Sequence, residues 1–223
     1  MTDFVELRRG MVDSQVRAND VTDHRIVAAM LELPRERFVS EQLKPFAYID
    51  DDLVIRPAHD GKPARYMIEP MILSRLVQLA DVKANDHVLD IGTGTGYSAA
   101  LLSRLAQQVV ALEEDEALAQ LASSTLSDLD VDNVAVMQGP LAEGWAPEAK
   151  YDVILLNGAV DEVPETLIAQ LKEDGRLVCV LGHGGAGRAT IFTNVGGVAG
   201  ERLAFNAAIP PLPGFEAKPR FVF

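Results

Sequence analysis

The stretch from residue 86 to residue 114 constrains the fold of this chain more than any other. An apolar run with strand character leads into three closely spaced glycines, leucines at helical spacing follow, and a second apolar run ends in acidic residues. These four segments are residues 88–91, 92–96, 97–106 and 109–115. The order of strand, glycine turn, helix and strand predicts one βαβ unit.

The chemistry of this unit favours a ligand that carries a nucleoside. Glycine tolerates positive φ angles and lets a ligand approach the backbone closely. Glu113 ends the second apolar run, 21 residues after Gly92, and roughly 20 residues is the spacing expected for a carboxylate that binds ribose hydroxyls. Together the glycines and the carboxylate predict a ligand with a ribose.

The spacing of the glycines narrows the choice of ligand. It is G-x-G-x-G, which differs from the G-x-G-x-x-G of dinucleotide-binding folds. Asp90 stands two residues before the first glycine, where a carboxylate would repel a pyrophosphate and attract a cation. S-adenosyl-L-methionine (AdoMet), a sulfonium with an amino-acid tail, suits that charge better than NAD does. The alternative is a glycine turn that merely joins a strand to a helix, and the coincidence of the glycines with Asp90 and Glu113 argues against it.

The same stretch carries a family resemblance. The run VLDIGTGTGY resembles motif I of the class I AdoMet-dependent methyltransferases, and GTGTGY followed by an Ala/Leu-rich helix resembles the protein-L-isoaspartate O-methyltransferase family. Residues 10–39 and 47–55 are similar in order and type to the N-terminal region of that family. The resemblance covers nearly the whole chain.

The resemblance implies an α/β fold in one AdoMet-dependent methyltransferase-like domain, residues 1–223. We expect a doubly wound, Rossmann-like sheet, mostly parallel with an antiparallel C-terminal strand. Residues 1–68 are expected to form a small N-terminal helical and loop cap over the substrate, and residues 69–223 the AdoMet-binding core. Apolar patterns and turn residues predict helices at 69–80, 116–129 and 164–171, strands at 133–138, 151–156 and 177–181, a turn at 174–175, and hairpin strands at 188–195 and 202–209.

The resemblance also implies an activity, the transfer of a methyl group from AdoMet to an isoaspartyl-type carboxylate of a damaged protein, which leaves S-adenosylhomocysteine. A carboxylate is already ionised at pH 7, so the protein has only to position it and exclude water. The glycines would cradle the methionine and ribose parts, Asp90 would face the amino group and Glu113 would bind the ribose. The cofactor-binding residues implied are Asp90, Gly92, Thr93, Gly94, Gly96, Tyr97, Glu113, Gly139, Leu141 and Asn157.

Two departures from the family pattern affect the expected chemistry. With Pro70 as the anchor, Ile68 falls at the serine of the family's G-Q-T-I-S-Q-P-like loop, and an isoleucine cannot donate a hydrogen bond to a carboxylate. We therefore expect weak or no isoaspartyl turnover, unless Arg65 or Tyr66 supplies the missing donor; an arginine can bind a carboxylate bidentately. Pro140 replaces the family's adenine-binding aspartate, and it offers neither a carboxylate nor an N–H.

Two other functions therefore remain open at this stage. One is a binding or regulatory protein that keeps the fold without repair activity, and the other is a methyltransferase with a different acceptor. Methyl transfer from labelled AdoMet to an isoaspartyl peptide separates the isoaspartyl methyltransferase from these two alternatives.

Composition excludes several classes of partner. The net charge of −13 argues against nucleic acid, because phosphate binding needs a basic surface. No apolar run reaches the roughly 18 residues of a membrane span, and the N-terminus has no apolar signal-peptide core. The single cysteine, Cys179, indicates a reducing cytoplasm. Four histidines without metal-ligand spacing predict no metal site, and nothing in the sequence indicates the oligomeric state.

Overall fold

A computed structural model describes residues 2–182 and 184–217 of the chain, so that one histidine, His183, lies outside the described residues. Its centre is a seven-stranded sheet in the order β5-β4-β3-β6-β7-β8-β9. The strands are β3 (His87–Ile91), β4 (Gln108–Glu113), β5 (Val134–Gln138), β6 (Tyr151–Val160), β7 (Leu171–Leu181), β8 (Arg188–Val195) and β9 (Val198–Asn206). A separate two-stranded sheet pairs β1 (Leu53–Arg56) with β2 (Arg65–Met67).

The five strands β3 to β7 pair in parallel, and β8 and β9 add two antiparallel strands at one edge. This arrangement confirms the predicted fold class. The chain winds from β3 outwards to β5, then returns to place β6 on the other side of β3. Ligands of open α/β sheets bind at such a switch point, beyond the carboxyl ends of the strands, and this is where the glycine turn lies.

Five helices pack against one apolar layer of the sheet, and a short sixth helix packs against the other. They are α1 (Phe4–Met11), α2 (His24–Glu32), α3 (Pro70–Ala80), α4 (Tyr97–Ser103), α5 (Glu116–Asp128) and the short α6 (Glu165–Ile168). Along β4 the residues alternate between two apolar layers, with Val109 and Ala111 in one and Val110 and Leu112 in the other. Because both faces are buried, the central strands are apolar throughout, without the alternation of a half-exposed strand.

The N-terminal segment shares a core with one of these layers. Met11 and Met30 belong to the same buried cluster as Leu76 and Leu101 of α3 and α4. A fully buried arginine, Arg35, strengthens this attachment: its Nε donates to the Ala47 carbonyl at 2.8 Å and its Nη2 to the Ile68 carbonyl at 2.7 Å. The segment is thus packed continuously onto the core of the protein.

Four predicted elements differ in detail from the observed ones. The strand expected at 151–156 extends to Val160. The helix expected at 164–171 is only four residues long, because β7 already begins at Leu171. The turn expected at 174–175 is an excursion within β7: Leu171 pairs with Tyr151, the next pair is Arg176 with Val153, and Asp174 takes a φ of 61°. The last strand runs from Val198 to Asn206, four residues earlier at its start than predicted, because the hairpin turn is tight.

Candidate cofactor site

The glycine turn joins β3 to α4 at the switch point. Gly92, Gly94 and Gly96 have φ angles of 76°, 58° and 96°, a region that side chains other than glycine rarely adopt. The Gly92 N–H donates to the Leu112 carbonyl at 2.8 Å, which anchors the turn to the end of β4. The predicted glycines therefore carry backbone conformations that require them.

Glu113, the predicted ribose-binding acid, lies beside this turn. Its side chain is fully buried. Its carboxylate accepts hydrogen bonds from three backbone N–H groups: those of Gly94 at 2.8 Å, Glu114 at 3.0 Å and Asp115 at 3.1 Å. The structure thus brings together the two features that the sequence singled out first.

Arg65 occupies the remaining side of that carboxylate. Its guanidinium pairs with Glu113 bidentately, Nη1 with Oε1 and Nη2 with Oε2, the latter at 2.9 Å. Arg65 is itself 5% exposed, so both charges of the pair are buried. The residue considered from the sequence as a partner for an acceptor carboxylate is therefore bound to a carboxylate of the chain itself.

A second ion pair holds the same segment, residues 53–67, which we call the basic hairpin. Arg56 Nε lies 3.0 Å from Asp115 Oδ2, and His59 Nε2 lies 3.6 Å from the same atom. Sequence reasoning missed Arg56 and the pairing of Arg65. The available signal was charge complementarity, since a loop with arginines at 56 and 65 and a lysine at 62 faces three consecutive acids at 113–115.

Asp90, the other predicted acid, lies fully buried beneath the turn. Its carboxylate accepts from Asn157 Nδ2 at 2.6 Å and from Ser98 Oγ at 2.7 Å. Burial raises the pKa of Asp90 to about 6, because neutral donors only partly compensate the lost hydration. Asn157, which lies in β6 just past its last pair with β3, is thus joined to Asp90.

Ile68 borders a small cavity beside the glycine turn. A cavity of about 10 Å³, room for about one water molecule, is bounded by Tyr66, Met67, Ile68, Leu73, Gly92, Thr93, Tyr97, Ser98 and Asn157. The Ile68 side chain is 3% exposed. Tyr97 is buried below this cavity, with the Arg35 guanidinium 4.6 Å from its ring centre. The surroundings of Ile68 are therefore closed and mostly apolar.

The predicted adenine side of the site lies beyond β4. The Gly139 N–H donates to the Glu113 carbonyl at 3.1 Å. Leu141 is buried in the same apolar cluster as Leu112. The Trp145 ring lies 3.4 Å from the position that a Cβ on Gly139 would take. Pro140 brings no hydrogen-bonding side chain to this edge, so contacts of a base here would be apolar or to the backbone.

The chemistry of these groups suits AdoMet, but the space between them does not. Leu212 Cδ1 lies 2.5 Å from the position of a Cβ on Gly92, and Ile55 Cδ1 lies 2.6 Å from that of a Cβ on Gly94. The glycine faces that a ligand would approach are therefore covered by side chains of the chain itself. Small-molecule sites enclose about 300–1,000 Å³, far more than the cavity of about 10 Å³ beside Ile68. AdoMet does not fit the groove in this conformation.

The sheet order, the glycine turn and the acid at the end of β4 define the class of protein: a class I AdoMet-dependent methyltransferase fold. The family model of protein-L-isoaspartate (D-aspartate) O-methyltransferase (PCMT) matches residues 8–196. The chain belongs to this family, whose methyl donor is AdoMet.

Relatives and solved structures agree with this assignment. The protein-L-isoaspartate O-methyltransferase of Koribacter versatilis (strain Ellin345) is 40% identical over 182 residues, 82% of this chain and 79% of the relative. Protein-L-isoaspartate O-methyltransferase 1 of Rhodopseudomonas palustris (strain HaA2) is 34% identical over 218 residues, 96% of this chain and 86% of the relative.

A solved protein-L-isoaspartate O-methyltransferase superposes with a TM-score of 0.80 at 28% identity, over 93% of this chain and 66% of that one. A Plasmodium falciparum PCMT structure in complex with S-adenosyl-L-homocysteine superposes with a TM-score of 0.76 at 19% identity, over 95% of this chain and 99% of that one. The second likeness concerns the fold alone.

Over the described residues, no helix combines the length and the hydropathy needed to cross a bilayer. Within the same residues, no group of three or more His, Cys, Asp or Glu side chains is placed to hold a metal ion.

Proposed function

We propose that this chain is a carboxyl O-methyltransferase that takes its methyl group from AdoMet and accepts isoaspartyl-type carboxylates of damaged proteins. One observation carries the proposal: the glycine turn and the Glu113 carboxylate meet at the switch point of the sheet, 2.8 Å apart at the Gly94 N–H, in a chain that matches the family from residue 8 to residue 196. The relatives named above supply the acceptor class.

The ten residues predicted to contact the cofactor remain part of the proposal. Their support is position: the glycines follow β3, which contains Asp90, Glu113 ends β4, and Asn157 lies in β6 just past its last pair with β3. The substrate cap, residues 1–68, is supported in the same way. Its last residues line the small cavity beside the turn, and Arg35 fastens the backbone of Ile68.

The chemistry asked of the chain is modest, because a carboxylate acceptor is already a nucleophile at neutral pH. The chain has to desolvate it, orient it and stabilise its charge until transfer. Ile68 offers no hydrogen bond for that last task. We therefore propose low turnover on isoaspartyl peptides, with Arg65 and Tyr66 as alternative donors; Arg65 already binds one carboxylate bidentately.

A second candidate function is favoured by the filled groove. Because Arg65, Ile55 and Leu212 cover the glycines, a binding or regulatory protein that keeps the fold without repair activity is the alternative. A methyltransferase with a different acceptor is the third possibility, since ion pairs fix the basic hairpin to the end of β4 and the start of α5.

The test is methyl transfer from labelled AdoMet to an isoaspartyl peptide, with the same peptide carrying normal aspartate as the control substrate. We expect low turnover by the wild type and a gain of about ten- to hundredfold in Ile68→Ser, because a hydrogen bond to a charged group is worth about 1.5–3 kcal/mol. Ile49→Ser, at an exposed position in the cap, is the matched control and should leave turnover unchanged.

Each result separates the functions. Robust wild-type turnover that Ile68→Ser does not raise would remove Ile68 as the limiting residue. Absence of turnover in both proteins would favour the binding or regulatory function.

We further propose that the protein works in the cytoplasm and needs no nucleic acid. The single cysteine, Cys179, is buried within β7, and burial raises the pKa of its thiol. A reducing compartment keeps such a thiol free. The net charge of −13 disfavours a phosphate backbone as partner.

A further inference from the structure

We infer that the chain carries its own occupant of the cofactor groove, so that AdoMet and Arg65 compete for the Glu113 carboxylate. The inference rests on the proposed function for the identity of the ligand. It concerns binding and the closed state of the groove, which are measured separately from methyl transfer.

The electrostatic competition concerns the Glu113 carboxylate. All of the groups around its carboxylate are donors of the chain: the N–H groups of Gly94, Glu114 and Asp115, and the guanidinium of Arg65. A ribose hydroxyl that binds this carboxylate has to replace one of these donors. The Arg65 guanidinium is the only one of the four on a side chain, so it is the donor that a ribose would displace. Removing one partner from a buried ion pair is costly, so the closed pair is a strong competitor.

The steric part involves the C-terminal segment. Leu212, 3% exposed, lies over Gly92 and also over Gly158, where its Cβ is 2.8 Å from the position of an added Cβ. Two hydrogen bonds fix this segment to β6, from Leu212 N to the Ala159 carbonyl at 2.8 Å and from Ala159 N to the Pro210 carbonyl at 2.9 Å. Leu212 is therefore held over the turn by backbone hydrogen bonds at Pro210 and at Leu212 itself.

The basic hairpin closes the groove from the opposite side. Ile55 of β1 covers Gly94, and Arg65 of β2 reaches Glu113. These two strands pair only with each other, and they form a small sheet separate from the central one. The ion pairs Arg65–Glu113 and Arg56–Asp115 tie this small sheet to the end of β4 and to the start of α5. Cofactor entry therefore requires two changes. Arg65 of the hairpin must release Glu113, and Leu212 must move away from the glycine turn.

This arrangement lowers the apparent affinity for AdoMet by the fraction of molecules in which the groove is open. Calorimetric titration of AdoMet into the purified wild type, Arg65→Gln and Leu212→Ala measures it. We expect Arg65→Gln to lower the Kd about tenfold or more, which corresponds to about 1.4 kcal/mol per decade. Leu212→Ala, which removes the steric cover and leaves the ion pair intact, should lower it severalfold.

Arg37→Gln is the matched control, because it removes the same charge from the exposed Arg37–Asp128 pair outside the groove; its Kd should equal that of the wild type. Leu212→Ala also keeps the test decisive if Arg65→Gln folds poorly. Weaker binding in both groove variants, or no binding in any of the proteins, would overturn the inference.

Methyl transfer to the isoaspartyl peptide is measured on the same proteins to separate this inference from the proposed function. Tighter AdoMet binding without transfer would leave the competition standing and remove the proposed activity. Efficient transfer by the wild type, with no gain in affinity in either groove variant, would support the proposed activity and overturn the competition.

Discussion

Asp90 and Glu113 lie on neighbouring parallel strands, β3 and β4, and both side chains are completely buried, yet their surroundings differ. Glu113 is paired with a guanidinium and three backbone N–H groups. Asp90 has two neutral side-chain donors, and burial raises its pKa to about 6. The difference shows that burial alone does not decide whether a carboxylate stabilises the protein; its partners do.

The largest expected effect on stability comes from removing the Arg65 guanidinium, the cation that pairs with Glu113. Arg65→Ala leaves Glu113 buried without its counter-charge, and we expect the free energy of unfolding to fall by about 3 kcal/mol at pH 8. Urea unfolding measures it. Arg37→Ala is the control, because Arg37 pairs with Asp128 while both side chains are exposed, and such pairs contribute about 1 kcal/mol or less. Equal losses in the two variants would mean that the Arg65 pair is no stronger than a surface pair.

An effect of opposite sign is expected at Asp90. An aspartate whose pKa rises from 3.8 to about 6 on folding contributes its full stability below pH 3.8 and loses it as the pH rises through about 6. Asp90→Asn should therefore be more stable than the wild type above pH 6, by at most about 3 kcal/mol, and the advantage should vanish below about pH 4.

Urea unfolding of both proteins at pH values from 4 to 8 measures this difference in stability between Asp90→Asn and the wild type. The exposed Asp128→Asn is the control. A wild type that is more stable than Asp90→Asn at pH 8 would contradict the assignment of Asp90 as a destabilising buried acid.

The smallest effect concerns a third carboxylate, Glu69, just before α3, because its side chain is only partly buried and solvent screens its interactions. Partial burial and the carboxylates of Asp52, Asp50 and Asp51 raise its pKa to about 7. Because the folded-state pKa lies above the ordinary 4.5, stability is lost as the pH rises from about 4.5 through about 7. Glu69→Gln should raise the Tm at pH 8.5 and leave it unchanged at pH 4, as differential scanning calorimetry would measure. The exposed Glu41→Gln should show no such pH dependence, and a Tm gain in Glu69→Gln that is equal at both pH values would exclude a titration.

Much of the fold was predictable because it depends on local patterns. The boundaries of β3, α3 and α5 follow from apolar periodicity, from Pro70 in the first turn of α3 and from Asp115, whose side chain caps α5. The positive φ angles at 92, 94 and 96 follow from glycines in one strand-to-helix turn. The excursion at 172–175 was not predictable from periodicity, because it depends on how far β7 pairs with β6.

The sequence by itself determined the class of fold, the position of the glycine turn and the carboxylate at the end of β4, since each depends on residues within about thirty positions of one another. Only the tertiary structure decided that Arg65 binds Glu113, 48 residues away, and that Leu212 covers Gly92. Such contacts depend on which distant segments meet at the edge of the sheet. The physical reason is that a buried charge or a bare glycine face is satisfied by any suitable group that reaches it, and a pattern in the sequence does not specify whether that group is a ligand or a side chain.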